Sequence, residues 1–303
     1  MFNPFACSQL PEGFQYLADE RMPITALTYT IVGIILVLAL AVFFTVMTIR
    51  KHKLVGLCTF AGISIFMLFN FFLVIIITMF IPSGNEAVFI IFSSLVSALI
   101  PFMGRLIVIK AFSRQQNSFS SHISYGVGIM GMKALVTILN FLIPISNYIQ
   151  LSSHEIEYFF PAGEEAEIAK ARAESIAKIL NIEYSEYILM AIMALGVMVY
   201  SIAVTVPIYA TYKNKASKAW YGFAFGMGVL VNVFECLYNR NVKGTHILSV
   251  VLMVVAAAVT LVVSYKLYKS IEIDTEEKPQ KTVSDISKNA HVKIPRFKDL
   301  DKL

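Results

Sequence analysis

Polar and apolar positions in this chain sort into long blocks. Seven stretches, at 24–49, 54–81, 88–109, 122–145, 187–212, 219–238 and 245–267, are almost continuously apolar, with polar runs between them. A bilayer crossing takes about 20 mostly apolar residues in a helix. Backbone groups in lipid need internal partners, so stretches of this length predict helices. The pattern predicts an all-α, polytopic integral membrane protein, a seven-helix transmembrane bundle over residues 24–270. Residues 1–23 form an external N-terminal segment in this reading, and 271–303 a cytoplasmic tail.

Composition supports the same class. Of 303 residues, 57% are hydrophobic and 15% charged, and the mean hydropathy is +0.70. A soluble domain of this size cannot hide so much apolar surface, whereas lipid can replace the missing core.

Charge then sets the expected orientation. Arg50, Lys51 and Lys53 follow the first stretch, Lys110 and Arg114 the third, Lys213, Lys215 and Lys218 the fifth, and Lys266 and Lys269 close the seventh. Alternating crossings put all of these on one side, which the positive-inside rule makes cytoplasmic. The N-terminus is then outside and the C-terminus inside. Tyr209, Tyr212, Trp220, Tyr221, Tyr265 and Tyr268 fall at the same span ends, where interfacial aromatics anchor. The net charge of +5 resides mostly in these connections and gives no reason to expect nucleic acid. Residues 1–20 lack a continuous apolar core, so the first span is expected to act as an uncleaved signal. Cys7, Cys58 and Cys236 are scattered and suggest no disulfide framework.

Two polar segments are candidate partner surfaces. Residues 146–186 form an acidic external loop in which 164–180 reads as a helix, with glutamates in its first turn and Ile168, Ile176, Ile179 and Leu180 near one face. That face suits either the membrane surface or the top of the bundle. The tail carries Pro279 and Pro295 and a basic cluster of Lys293, Arg296 and Lys298. It is expected to be disordered, with the cluster available to anionic lipid or a protein partner.

Chemistry is scarce inside the spans. None of the five histidines, His52, His122, His154, His246 and His291, lies in the middle of a span. Glu235 is the one carboxylate well inside, and no intramembrane aspartate or serine–histidine pair exists. A zinc site needs several nitrogen, oxygen or sulfur ligands converging on one ion. No metal, cofactor or catalytic residue is expected. Lys133 stands about halfway along the fourth span, where an unpaired ammonium is costly. Arg105, Asn140, Asn232 and Glu235 are the polar residues expected to line a candidate binding cleft with it, and depth alone suggests a Lys133–Glu235 pair. Gly222, Gly226 and Gly228 read as close helix packing.

The third and fourth spans carry a resemblance. The run Ser97-Ala-Leu-Ile-Pro-Phe-Met-Gly-Arg105, then Tyr125-Gly-Val-Gly-Ile-Met-Gly-Met-Lys133, resembles the YhfC-type family of intramembrane metalloproteases. That family is distantly related to the CAAX-prenyl and bacteriocin-processing membrane proteases. Its motifs are Glu-Glu-x-Gly-Arg and Tyr-Gly-x-Gly-His-Gly-Gly-x-Glu. Here Pro101 and Phe102 stand at the glutamates, Ile129 at the histidine, Met130 at a glycine and Lys133 at the final glutamate. A further family histidine falls near Ser201, and a His-x-x-x-Asp at Gly228 and Asn232. The resemblance implies a helical bundle in a bacterial-type plasma membrane, with a midplane metal and peptide-bond hydrolysis. The substitutions imply that metal and hydrolysis are lost, leaving a pseudoprotease-like scaffold or accessory subunit that binds a peptide, lipid or partner helix. A seven-helix receptor or sensor, a transporter, an immunity-type membrane protein and a working metalloprotease with unconventional ligands are the alternatives.

Overall fold

In the computed structural model the described residues are 24–52, 54–68, 86–112, 119–153, 166–181, 185–240 and 245–270, with scattered positions between Pro11 and Pro23, Phe160 and Glu183. They form helices α1 (Ile24–His52), α2 (Gly56–Leu68), α3 (Glu86–Phe112), α4 (Phe119–Ser153), α5 (Ala166–Leu180), α6 (Ser185–Ala203), α7 (Thr205–Tyr212), α8 (Ala219–Asn239) and α9 (His246–Ser270). Among the described residues there is no strand. Among the described residues six helical segments are long and apolar enough to cross a membrane, with α6 and α7 counting as one. Of the apolar stretch at 54–81, α2 accounts for the first part and 69–81 lies outside the described residues. The tail and its basic cluster also lie outside them.

The exposed faces are apolar, the reverse of a soluble bundle. Ile31, Ile35, Leu38 and Val42 of α1, and Val251, Val255, Val259 and Val262 of α9, point outward. A soluble protein rarely exposes contiguous apolar area of this extent, whereas lipid accepts it.

α4 organises the interior. It packs against α1, α2 and α6, while α8 packs against α3 and α9, and α9 against α6. The α2–α4 contact is close because Gly62 and Gly128 face each other's backbones. A Cβ on Gly128 would overlap the Thr59 carbonyl, and one on Gly62 the Tyr125 carbonyl. Small residues at a membrane helix crossing let backbones approach in this way. Gly228 is similarly tight, against Tyr200 and Ala98, but Gly222 and Gly226 have no described residue within 4 Å of the Cβ position. Close packing therefore holds for one of those three glycines. Periodic spacing along α8 does not say which face a neighbour occupies.

α4 continues through Ser153, beyond the apolar stretch that ends near residue 145 and despite Pro144. At about 1.5 Å per residue the helix outruns the hydrocarbon thickness, so its polar last turns are compatible with a position beyond the lipid. α5 caps this end. Ala173, Ile176 and Ala177 are buried in the same apolar cluster as Leu17, Met22, Phe141, Leu151, Phe160 and Tyr187, while Ile168 stays exposed. Of the two placements the sequence allowed for this helix, it takes the top of the bundle.

The basic span ends do gather. His52 at the end of α1, Phe119 and His122 at the start of α4, Tyr209 and Tyr212 of α7 and Tyr268 of α9 form one connected set of ring contacts. Lys213 lies over the Tyr209 ring and Lys269 over the Tyr265 ring. At the opposite end His246 stacks on Tyr238, whose hydroxyl donates to the Glu186 carbonyl at 3.1 Å.

The Gly128 contact yields a direct expectation. Gly128→Ala should lower the thermal unfolding midpoint of the detergent-purified protein, since overpacking costs about 1–3 kcal/mol. Gly222→Ala, exposed and without close neighbours, should stay within about 1 kcal/mol of wild type. Equal midpoints for the two variants would mean that α2 and α4 do not meet as described.

Candidate functional site

A cavity of about 80 Å³ lies between α3, α4, α6 and α8, with Phe66 of α2 and Ile208 of α7 also on its wall. That is room for about three waters, or for part of a ligand. Four of the five residues expected to form a cleft line it: Arg105, Lys133, Asn232 and Glu235. Asn140 does not. It is exposed on α4, two turns or about 10 Å beyond Lys133, further than a lysine side chain reaches. Asn140 instead sits at the turn where Pro144 removes the hydrogen bond its carbonyl would otherwise accept.

Lys133 and Glu235 form an ion pair across this cavity. Their side chains remain 17% and 22% exposed, so the pair faces open space on one side. An unpaired lysine or aspartate at a membrane helix centre costs about 2.5–3.5 kcal/mol. Pairing each charge with the other removes much of that penalty for both. α8 packs on α3 and α9 rather than on α4, so the ion pair bridges a gap that backbone packing leaves open. Asn232 stands one turn before Glu235 and donates back to the Gly228 carbonyl at 2.7 Å.

Arg105 is held differently. It is 5% exposed. Its guanidinium donates to the Thr205 hydroxyl at 2.7 Å and to the Ser201 carbonyl at 2.5 Å. The Tyr125 ring lies 5.4 Å away on its face. These acceptors come from the interruption between α6 and α7. Pro207 has no N–H to offer the Ala203 carbonyl, and its ring crowds that turn, so the helix breaks at Val204. Broken helices survive in membranes where other groups satisfy the backbone, and Arg105 donates beside this interruption, to the Ser201 carbonyl and the Thr205 hydroxyl rather than to the Ala203 carbonyl. No carboxylate pairs with Arg105 among the described residues. A second, small cavity of about 10 Å³, lined by His122, Tyr125 and Thr205, lies on its other side. Arg105 thus separates the main cavity from the aromatic, basic end.

Tyr200, Ser97 and Thr205 belong to the site and were not among the sequence candidates. Tyr200 lines the cavity and donates to the Ala224 carbonyl at 3.0 Å, pinning α6 to α8. The available signals were the prolines: Pro207 follows Ser201 and Thr205 within two turns, and Pro101 removes the hydrogen bond due to the Ser97 carbonyl.

Of the eight positions at which the chain differs from the family pattern, Pro101, Phe102, Ile129, Lys133, Ser201 and Asn232 line the one cavity, and Met130 and Gly228 do not. Their chemistry does not fit a zinc ion. Glu235 is the sole carboxylate on the wall, it is tied to Lys133, and no imidazole joins it. Among the described residues no three histidine, cysteine, aspartate or glutamate side chains cluster. Two positive groups and one negative group are what the wall presents. No family model, curated protein or solved structure matches this chain.

A double-mutant cycle tests the bridge. Lys133→Met strands Glu235 and should cost about 2 kcal/mol, less than a fully buried pair because both groups are partly exposed. Lys133→Met with Glu235→Met should recover most of that loss. Additive losses in thermal unfolding would show that the two side chains do not interact.

Proposed function

We propose that this chain is a non-catalytic, pseudoprotease-like membrane protein that holds a peptide, lipid or partner helix in the cavity between α3, α4, α6 and α8. The observation that carries this reading is convergence. Six of the seven positions assigned by motif resemblance to metal binding or catalysis, scattered from Pro101 to Asn232, line a single cavity, Gly228 being the exception. That arrangement supports the resemblance. Their present side chains supply no zinc ligand set, while the cavity sets a few polar groups among apolar walls, as ligand sites do, with room for part of a ligand. On this reading the chain is a degenerate relative of the YhfC-type family and acts as a scaffold or accessory subunit.

The reading includes topology. The stretch at 54–81 completes a seventh crossing, the basic end faces the cytoplasm of a bacterial-type plasma membrane, and the N-terminus is outside. The clustering of Lys213, Lys269 and the interfacial rings at one end supports this orientation. A fluorescent-protein fusion after Leu303 should glow, and an alkaline phosphatase fusion there should be inactive. An active phosphatase would reverse the assignment.

Elemental analysis of the detergent-purified protein should find no stoichiometric zinc in wild type. Native mass spectrometry should find a retained ligand that the cavity-filling variant Ser97→Phe loses. Stoichiometric zinc in wild type sinks the non-catalytic reading. A ligand bound equally by Ser97→Phe places binding outside the cavity.

A further inference from the structure

Among the described residues the cavity wall carries an excess of positive charge with no carboxylate to neutralise it, and this bears on what the cavity takes. Lys133 and Glu235 cancel each other. Arg105 does not cancel: its partners are a hydroxyl, a backbone carbonyl and an aromatic ring, all formally neutral. A guanidinium keeps its proton in proteins and has more N–H donors than those two acceptors use. It is also rigid, planar and matched to two-oxygen acceptors. The residue is buried, yet it lines the cavity. Such a group is suited to an anion, and of the two cavities beside it among the described residues only the larger has room for one.

We infer that the cavity is an oxyanion site in which Arg105 receives a carboxylate or phosphate group of the ligand. This deepens the binding reading above and rests on it. Arg105 donates through Nη1 to the Thr205 hydroxyl and through Nη2 to the Ser201 carbonyl, so the guanidinium is held in place before the ligand arrives, with its remaining N–H groups still to be used. Holding a donor fork in position in advance lowers the entropy cost of binding. Asn232 and Tyr200 add polar groups to the same wall, and Phe66, Phe102 and Ile129 offer apolar surface for whatever carries the anion. Lys133 is not the primary contact. Its ammonium is already committed to Glu235, and a ligand that took it would strand that carboxylate.

The oxyanion could arrive on a lipid or free in water, and binding assays separate these sources. Full-length protein in neutral detergent is titrated with oleate against oleyl alcohol, with phosphatidylglycerol against phosphatidylcholine in mixed micelles, and with acetate and inorganic phosphate. The charged member of at least one set should bind and raise the unfolding midpoint, and its neutral or zwitterionic counterpart should bind at least about tenfold more weakly. Acetate or phosphate binding assigns the site to a free anion; oleate or phosphatidylglycerol binding without them assigns it to a lipid. Arg105→Gln should weaken that binding by at least about tenfold, and Arg105→Lys by less. If Arg105→Gln does not fold, Asn232→Asp serves instead, since a carboxylate on the wall cancels the excess charge and should weaken the same anion.

Binding of oleyl alcohol equal to that of oleate, with no effect of Arg105→Gln or Asn232→Asp, overturns the oxyanion inference and leaves the cavity as a ligand site. Binding of every probe that Ser97→Phe leaves intact overturns the cavity reading itself.

Discussion

The ion pair between Lys133 and Glu235 joins α4 and α8, two helices that otherwise pack on different neighbours. On one side α4 gathers α1, α2 and α6; on the other α8 gathers α3 and α9. Water would weaken such a pair strongly, but a low-dielectric interior does not. The same environment makes each charge intolerable alone. The pair therefore acts as a mutual constraint, keeping α4 and α8 at a fixed separation and holding the space between them open.

Arg105 answers the same constraint by other means. With no counter-charge, it draws on dipoles that the proline-broken α6–α7 segment exposes. The two solutions are coupled by geometry, because the helix break that supplies acceptors to Arg105 also positions Tyr200 and Ser201 on the cavity wall. One backbone interruption thus serves packing, charge satisfaction and the shape of the site. The Ser201 carbonyl lies in a span whose polar residues, tyrosines aside, are Ser201, Thr205 and Thr211.

Much of this was legible along the chain, and what was not has a consistent cause. Hydropathy located the helices because lipid demands long apolar runs. Depth along the spans was enough to match Lys133 with Glu235, since each residue advances a helix by a fixed rise. Depth gave the wrong answer for Asn140. It lies near the same face as Lys133, but an axial offset of two turns removes it from reach. Azimuth was the missing coordinate for Gly222 and Gly226, whose faces meet no described neighbour. The partners of Arg105 needed still more, because the direction in which a broken helix turns its carbonyls depends on packing that no local pattern encodes. The acidic helix α5 showed its apolar face in sequence, but whether that face met lipid or protein was decided by Ala173, Ile176 and Ala177 fitting against the top of the bundle.

Stability alone is a poor explanation for the polar cavity. Replacing a buried ion pair with well-packed apolar residues is often neutral or stabilising, and the surrounding walls already hold Phe66, Phe102, Ile129 and Val231, which could close around such a replacement. An apolar residue at 105 would likewise remove a charge that the bundle leaves without a counter-charge. What an apolar filling would lose is the opening itself and the positive fork beside it. A structure that keeps a void, a bridging ion pair and an uncompensated guanidinium in one place carries three energetic costs that packing could remove together. Binding of an anionic group offsets two of them, filling the void and matching the surplus charge, in the space that the Lys133–Glu235 pair keeps open.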